Sequence, residues 1–318
     1  MQQDDEARLD ALLVELLGGV DEPIILARVL SPARPGCTVQ DYSYSSRAFM
    51  KRTRRILPCS SHAVLLVVAL WAGLVNAAEI RVMTSGGFTA AYNALTPQYE
   101  KLTGDKIVTM YGASMGGAPD SIPSRLARGE PVDIVILAAP ALDELVKQGK
   151  VVPGSRVDLV RSTIGMSVRA GAPKPDISSV EALKRTLLEA KSIAYSASAS
   201  GVYLSTNLFP RLGIWDAIKD KSKRIESERV GTIVARGEAE LGFQQVSELL
   251  PIPGIDYVGP LPAEVQQVTI FSAGIAVGAK EPEAAKALIK YFTSADAAPV
   301  IAKTGLEPIS QAEARKAP

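Results

Sequence analysis

From residue 78 onward, short apolar runs rich in β-formers alternate with stretches whose apolar residues recur at helical spacing. Residues 80–84 read as a strand that stops at Ser85-Gly86-Gly87. A helical pattern follows at once, with Tyr92, Leu95, Tyr99 and Leu102 on one face and Gly104 as its stop. The same reading predicts strands over 107–111, 132–137 and 193–195. It predicts helices over 120–128, 140–148, 180–188, 202–212, 246–250, 283–292 and 295–303. Such alternation is the signature of an α/β protein whose sheets are mostly parallel. Two longer extended runs, 157–168 and 268–277, suit passages from one lobe to another. The run 219–229 reads as a solvated polar face and 251–262 as turns.

One unit occurs twice. Leu126-Ala127-Arg128-Gly129-Glu130-Pro131-Val132-Asp133-Ile134 and Val234-Ala235-Arg236-Gly237-Glu238-Ala239-Glu240-Leu241-Gly242 each end a helix on Arg-Gly and start a strand within a few residues. The glycine suits a left-handed cap. A common helix-to-strand connection explains this as well as a true repeat does. A true repeat implies two similar lobes.

The first 77 residues stand apart. Met50 opens a segment with Lys51, Arg52, Arg54 and Arg55 ahead of an apolar run over 63–75 and small residues up to Ala77. This is the pattern of a secretory signal peptide, with cleavage expected after Ala77 and export to the periplasm. The run is shorter than the ~20 residues a spanning helix needs. Residues 1–49 then read as a leader ahead of the true start. The expected division is 1–49 leader, 50–77 signal, 78–160 with 266–318 as one lobe, and 161–265 as the other.

Cys37, Cys59 and His62, the only cysteines and histidine, fall inside the removed part. The mature chain therefore has no thiol or imidazole chemistry and none of the usual zinc ligand sets, and we expect neither metal nor cofactor. It carries 27 Lys+Arg against 26 Asp+Glu, so no basic excess points to nucleic acid. No P-loop or dinucleotide fingerprint is present.

Candidate chemistry gathers where predicted strands open into small-residue loops. Ser85 with Gly86, Ser114 with Met115, and Ser200 with Gly201 sit at three such junctions. In open parallel sheets, ligands bind beyond the carboxyl ends of the strands. Three loops converging there would offer hydroxyls and free backbone N–H groups, a donor set suited to a small anion. Taken alone, Ser85-Gly86-Gly87 reads as a capped turn, and Tyr203 as a core residue that could also donate a hydroxyl. Gln244-Gln245, at the end of a predicted strand, either meets a ligand or begins the next helix.

TSGGF, YGASMGG followed by SRLARGEPVDIVIL, SASGVY and VARGEAELGF, in this order, resemble the molybdate-binding branch of periplasmic solute-binding proteins. The resemblance covers nearly all of residues 78–310. It implies a type II periplasmic binding fold, with two α/β lobes hinged by crossing strands. It also implies a monomer that takes a small oxyanion or carboxylate and passes it to an ABC-type permease. By the same resemblance Ser85, Ser114 and Ser200 are oxyanion contacts, and Val230, Gly231 and Thr232 add backbone contacts. Gln245 stands where the molybdate binders carry a tyrosine, a departure that counts against molybdate. DISSVEALK, AKSIAYSASASGVY and GFQQVSELLP are similar to the subgroup that includes aconitate isomerase, which moves a proton along an allylic tricarboxylate without a cofactor. That reaction needs a base, for which Glu228 and Tyr203 are candidates. Weighed on sequence alone, capture for transport stands ahead of isomerisation, because no base is evident.

Overall fold

The computed structural model describes residues 77–310. The expected leader and signal segment, and the chain beyond residue 310, lie outside them. Within the described residues the chain forms two sheets. The first takes β1 (Glu79–Thr84), β2 (Lys106–Tyr111), β3 (Ile134–Ala138), β4 (Val157–Ser162), β10 (Thr269–Ile275) and β11 (Glu307–Pro308), in the order β11-β4-β10-β3-β1-β2. The second takes β5 (Ile164–Arg169), β6 (Ile193–Ser196), β7 (Ser222–Ile225), β8 (Leu241–Gln245) and β9 (Ile255–Pro260), in the order β7-β6-β8-β5-β9.

Each sheet is mixed rather than mostly parallel. β1 runs parallel to β2 and β3, and β6 parallel to β7 and β8, whereas β10 is antiparallel to β3 and β4, and β5 to β8 and β9. The antiparallel strands β4, β5 and β10 are the ones that carry the chain between sheets or lie beside that passage. β4 ends at Ser162 and β5 begins at Ile164, so a single residue, Thr163, separates one lobe from the other. Gln266, on the return segment, accepts from the Ile164 N–H at 2.9 Å and donates to the Ile164 carbonyl at 3.0 Å. The two passages are thereby tied together.

The first sheet is covered on both faces, as the alternation of its strands requires. Ile80, Val82, Ile134 and Ile136 face α1 (Gly86–Thr103) and α8 (Pro282–Phe292) through Phe88, Leu95, Leu288 and Phe292. Met83, Val135 and Leu137 face the other way, onto Ile122 and Leu126 of α2 (Ile122–Ala127) and Leu142 of α3 (Ala139–Lys147). β3 is buried along its whole length, which is why its sequence is an unbroken apolar run. The second sheet packs Met166, Val168, Ile193 and Phe243 against α4 (Val180–Glu189) and the helical run from α5 (Ala199–Tyr203) through a π turn to Arg211. Its other face meets α6 (Val230–Ala235) through Val230, Ile233 and Val234.

Several elements depart from the sequence reading. The helix expected from residue 202 begins at Ala199, because Ser198 takes the extended conformation of an N-cap and Ser200 and Gly201 fall in the first turn. The polar run 219–229 contains β7, an edge strand whose lysine and arginine face solvent. The turn-rich 251–262 contains β9, an edge strand on the other side. The two similar units do occupy matching places. α2 and α6 both close on a left-handed glycine, Gly129 (φ 75°) and Gly237 (φ 76°), and feed β3 and β8, each central in its sheet and parallel to a neighbour.

Candidate functional site

The carboxyl ends of β1, β2, β6, β7 and β8 face a cleft of about 430 Å³ between the two sheets. This size suits a small organic ligand. Among the hydrogen bonds that join the two lobes, two lie at this cleft. Ser247 Oγ, in α7 (Val246–Leu249), donates to the Gly87 carbonyl at 2.7 Å in a buried contact, and Ser227 Oγ donates to Asp120 Oδ1 at 3.3 Å at the rim.

Of the residues expected to contact a ligand, Gly86, Ser114, Ser200 and Gln245 line this cleft. Ser114 Oγ accepts from the Ala138 N–H at 3.0 Å, which leaves its own proton to donate. Ser200 Oγ lies 3.0 Å from Ser196 Oγ, so the two hydroxyls form a pair at the head of α5. Gln245 donates to Thr269 Oγ1 at 3.0 Å, and its buried Oε1 has no hydrogen-bond partner among the described residues. Ser85 is buried just behind the lining, with its hydroxyl also unpartnered among the described residues and its N–H donated to the Ile136 carbonyl.

The other candidates lie elsewhere. Gly201 is a packing position, since a Cβ there would meet the Ser196 carbonyl at 1.7 Å. Met115 and Tyr203 line a separate cavity, and the Tyr203 hydroxyl donates to the Val265 carbonyl at 2.9 Å, so it is not positioned as a base in the cleft. Val230, Gly231 and Thr232 form the first turn of α6 and do not line the cleft. The Val230 N–H is taken by Gln244 Oε1 at 2.9 Å and the Thr232 N–H by the Arg229 carbonyl at 3.0 Å. Glu228 does reach the cleft, but Arg236 grips both its carboxylate oxygens. The hydrogen bond from that guanidinium holds the Glu228 carboxyl below the usual carboxylate range, the wrong direction for a base working near neutrality.

Two ionisable residues that the sequence reading passed over also line the cleft. Arg229, the N-cap of α6, lines it with a half-buried side chain that no described residue hydrogen-bonds or ion-pairs. Glu248, in α7, is also only half-buried as a residue, yet its carboxyl is enclosed against the head of α1. A Cβ built on Gly86 would lie 1.9 Å from Glu248 Oε1, so the carboxyl occupies the space that any other residue at 86 would fill. Burial pushes this carboxyl up to about 7, while the nearby Arg229 charge and a hydrogen bond from Gln244 pull it down without cancelling the shift. That bond runs from Gln244 Nε2 to Glu248 Oε1 at 2.9 Å. A pattern reading sees VSELL as an ordinary helical turn with its glutamate toward solvent. The signal for its burial lies more than 160 residues away, in the missing side chain of Gly86.

The cleft therefore combines an unpaired guanidinium, several hydroxyl donors and the N-terminus of an 18-residue helix with one carboxyl able to exchange a proton near neutral pH. Among the described residues no cluster of His, Cys, Asp or Glu is arranged to hold a metal ion.

Two sheets hinged at crossing strands, with a polar cleft between them, define the class of two-lobed type II periplasmic binding folds. The profile of the bacterial extracellular solute-binding proteins matches residues 80–307, and the chain belongs to that family. Among curated relatives, an aconitate isomerase from a Pseudomonas species is 50% identical over 230 residues, 72% of this chain and 88% of the relative. The molybdate-binding protein ModA of Azotobacter vinelandii is 31% identical over 255 residues, 76% of this chain and 96% of the relative. The solved structure of the periplasmic molybdate-binding protein of Azotobacter vinelandii superposes with a TM-score of 0.58 at 22% identity, covering 71% of this chain and 98% of that one.

Proposed function

We propose that this protein is an extracytoplasmic isomerase of the aconitate type, acting on a small unsaturated polycarboxylate. The observation that carries the reading is the presence of Arg229 and Glu248 in one cleft. A guanidinium is the partner a carboxylate selects. A buried carboxyl that is only partly ionised near neutrality adds little to simple capture of an anion and is suited to moving a proton. The 50% identity to a protein named aconitate isomerase supports the same conclusion. The reaction removes a proton from the methylene carbon of trans-aconitate, shifts the double bond by one position and adds a proton at the far carbon. Atoms balance, and no cofactor is consumed.

Capture of an oxyanion or carboxylate for an ABC-type importer is the second reading, favoured by the hinged fold and the neutral donors Ser114 and Ser200. Proton NMR on the purified protein mixed with trans-aconitate, then with molybdate as competitor, separates the two. We expect cis-aconitate signals to grow with time. Broadened aconitate signals without new ones would make the protein a carboxylate receptor, and aconitate signals untouched by the protein would remove both carboxylate readings. Export to the periplasm rests on the signal pattern after Met50 and on the family's extracellular character.

A further inference from the structure

We infer that Glu248 is the catalytic base and acid of this isomerisation, and that Gln244 is the residue that positions it. The assignment deepens the isomerase reading above and rests on it.

Among the titratable groups lining the cleft, Glu248 is the one whose carboxyl is enclosed and not ion-paired; Glu226 is paired with Arg224 at 3.1 Å, and the Tyr111 hydroxyl donates to Asn93 at 2.8 Å. No cysteine or histidine lies within the described residues. Glu228 is gripped by Arg236, and the Tyr203 hydroxyl is held at Val265 outside the cleft. Asp120 accepts from Ser227 at the rim. Glu248 has one oxygen, Oε1, fixed by Gln244. Its Oε2 makes no hydrogen bond with a described residue and is not among the polar atoms sealed from solvent, so it is free to meet a substrate.

Gln244 is held at both ends. Its Oε1 accepts from the Val230 N–H at 2.9 Å and its Nε2 donates to Glu248 at 2.9 Å, so the amide has one orientation. Val230 follows Arg229 directly. One side chain thus ties the carboxyl that would take the proton to the backbone from which the substrate-holding guanidinium extends. A tie of this kind favours the positioned base that proton abstraction from carbon needs. In the step, Glu248 Oε2 takes the methylene proton and the C–H electron pair enters the allylic system conjugated with the neighbouring carboxylate. The double bond shifts, and the protonated Glu248 then delivers a proton to the former vinylic carbon.

Of the elements on which α7 packs, α6 supplies the one facing charge, Arg229, and β8 supplies Gln244; α1, β5 and β9 add no charge that acts on the carboxyl. The rate should therefore rise along a single limb near neutrality as Glu248 ionises.

The test compares full-length wild type, Glu248→Gln and Gln244→Leu for trans-aconitate turnover, for binding by ligand-observed NMR, and for the pH dependence of kcat. Glu248→Gln should lower kcat at least about 100-fold while the dissociation constant for trans-aconitate changes by no more than roughly threefold. Gln244→Leu should move the pH limb upward, because the bond that favours the ionised carboxyl is gone; a merely structural role would lower kcat without moving it. Retained binding shows that each variant has folded. Glu248→Gln with a tenth or more of wild-type kcat overturns the assignment of Glu248 and leaves the isomerase reading standing. An unmoved limb in Gln244→Leu overturns the positioning role. A wild type inert to trans-aconitate overturns the isomerase reading and this assignment together.

Discussion

The segments α2-β3-α3 and α6-β8-α7 share one design and differ in what they carry at the strand end. Both start from a helix closed on a left-handed glycine, and both send a buried strand to the middle of a sheet. In the first lobe the strand ends in Leu137-Ala138-Ala139-Pro140-Ala141, all apolar. In the second it ends in Gln244-Gln245-Val246-Ser247-Glu248, and four of these five residues are polar. The first lobe contributes a receptive surface instead: the head of α1, the void at Gly86 and the Ser114 hydroxyl, itself held by the Ala138 N–H. The polar strand end thus lies on one copy of the unit, and the other lobe shapes its surroundings.

The largest expected way to break this asymmetry is through the pH dependence of stability. Glu248 is raised from 4.5 to about 7 in the folded protein, so the folded state binds more protons than the unfolded state between those values. Stability contributed by the neutral carboxyl is full below about 4.5 and is lost as pH rises through 7. Glu248→Gln should therefore be more stable than wild type at pH 8, by about 3 kcal/mol at most, and equal to it near pH 4, as read by urea unfolding. Equal stability at both pH values would mean that the carboxyl is solvated.

Next in size, Arg229→Met should weaken trans-aconitate binding roughly 10- to 150-fold through loss of a charge-assisted hydrogen bond. Arg128→Met, in the first lobe's copy, should leave binding unchanged in the same titration. The glycines before α1 sharpen the comparison further. Gly87→Ala drives a Cβ into the Phe271 ring, within 2.0 Å, and should cost about 1–3 kcal/mol in thermal unfolding. Gly86→Ala meets only the movable end of Glu248, so the fold should hold while turnover falls roughly tenfold or more through the displaced base. The smallest effect belongs to Arg236→Ala. Its ion pairs with Glu228 and Glu238 are solvent-exposed, and the melting temperature should fall by about 3 °C at most. The Glu228 carboxyl should return to its ordinary range, as followed by NMR titration.

Much of the fold was legible because periodicity is a local property. The strand-loop-helix passage through Ser85 and the single long run across Thr163 both follow from patterns within a dozen residues. β7 and β9 escaped notice because they are edge strands, where solvent accepts the lysine, arginine and proline that an interior strand excludes. The site was legible only in outline. Loops bearing Gly86, Ser114 and Ser200 do meet in one cleft, since strand order brings their ends together. Arg229 and Glu248 were hidden for a different reason: the burial of a charged side chain is decided by which distant element packs on it. Val230 to Thr232 were expected to offer backbone N–H groups, but the donors of Val230 and Thr232 are already used within the protein.

The single-residue passage at Thr163 has a mechanical consequence. Its carbonyl accepts the N–H of Val246 at 2.9 Å, and Val246 lies two residues before Glu248 on the same short helix. A joint this short has almost no slack, so swinging one lobe against the other pulls on the turn that carries the carboxyl. The joint between the lobes and the carboxyl in the cleft thus share one hydrogen-bonded stretch of backbone, so the angle between the two sheets sets where Glu248 sits.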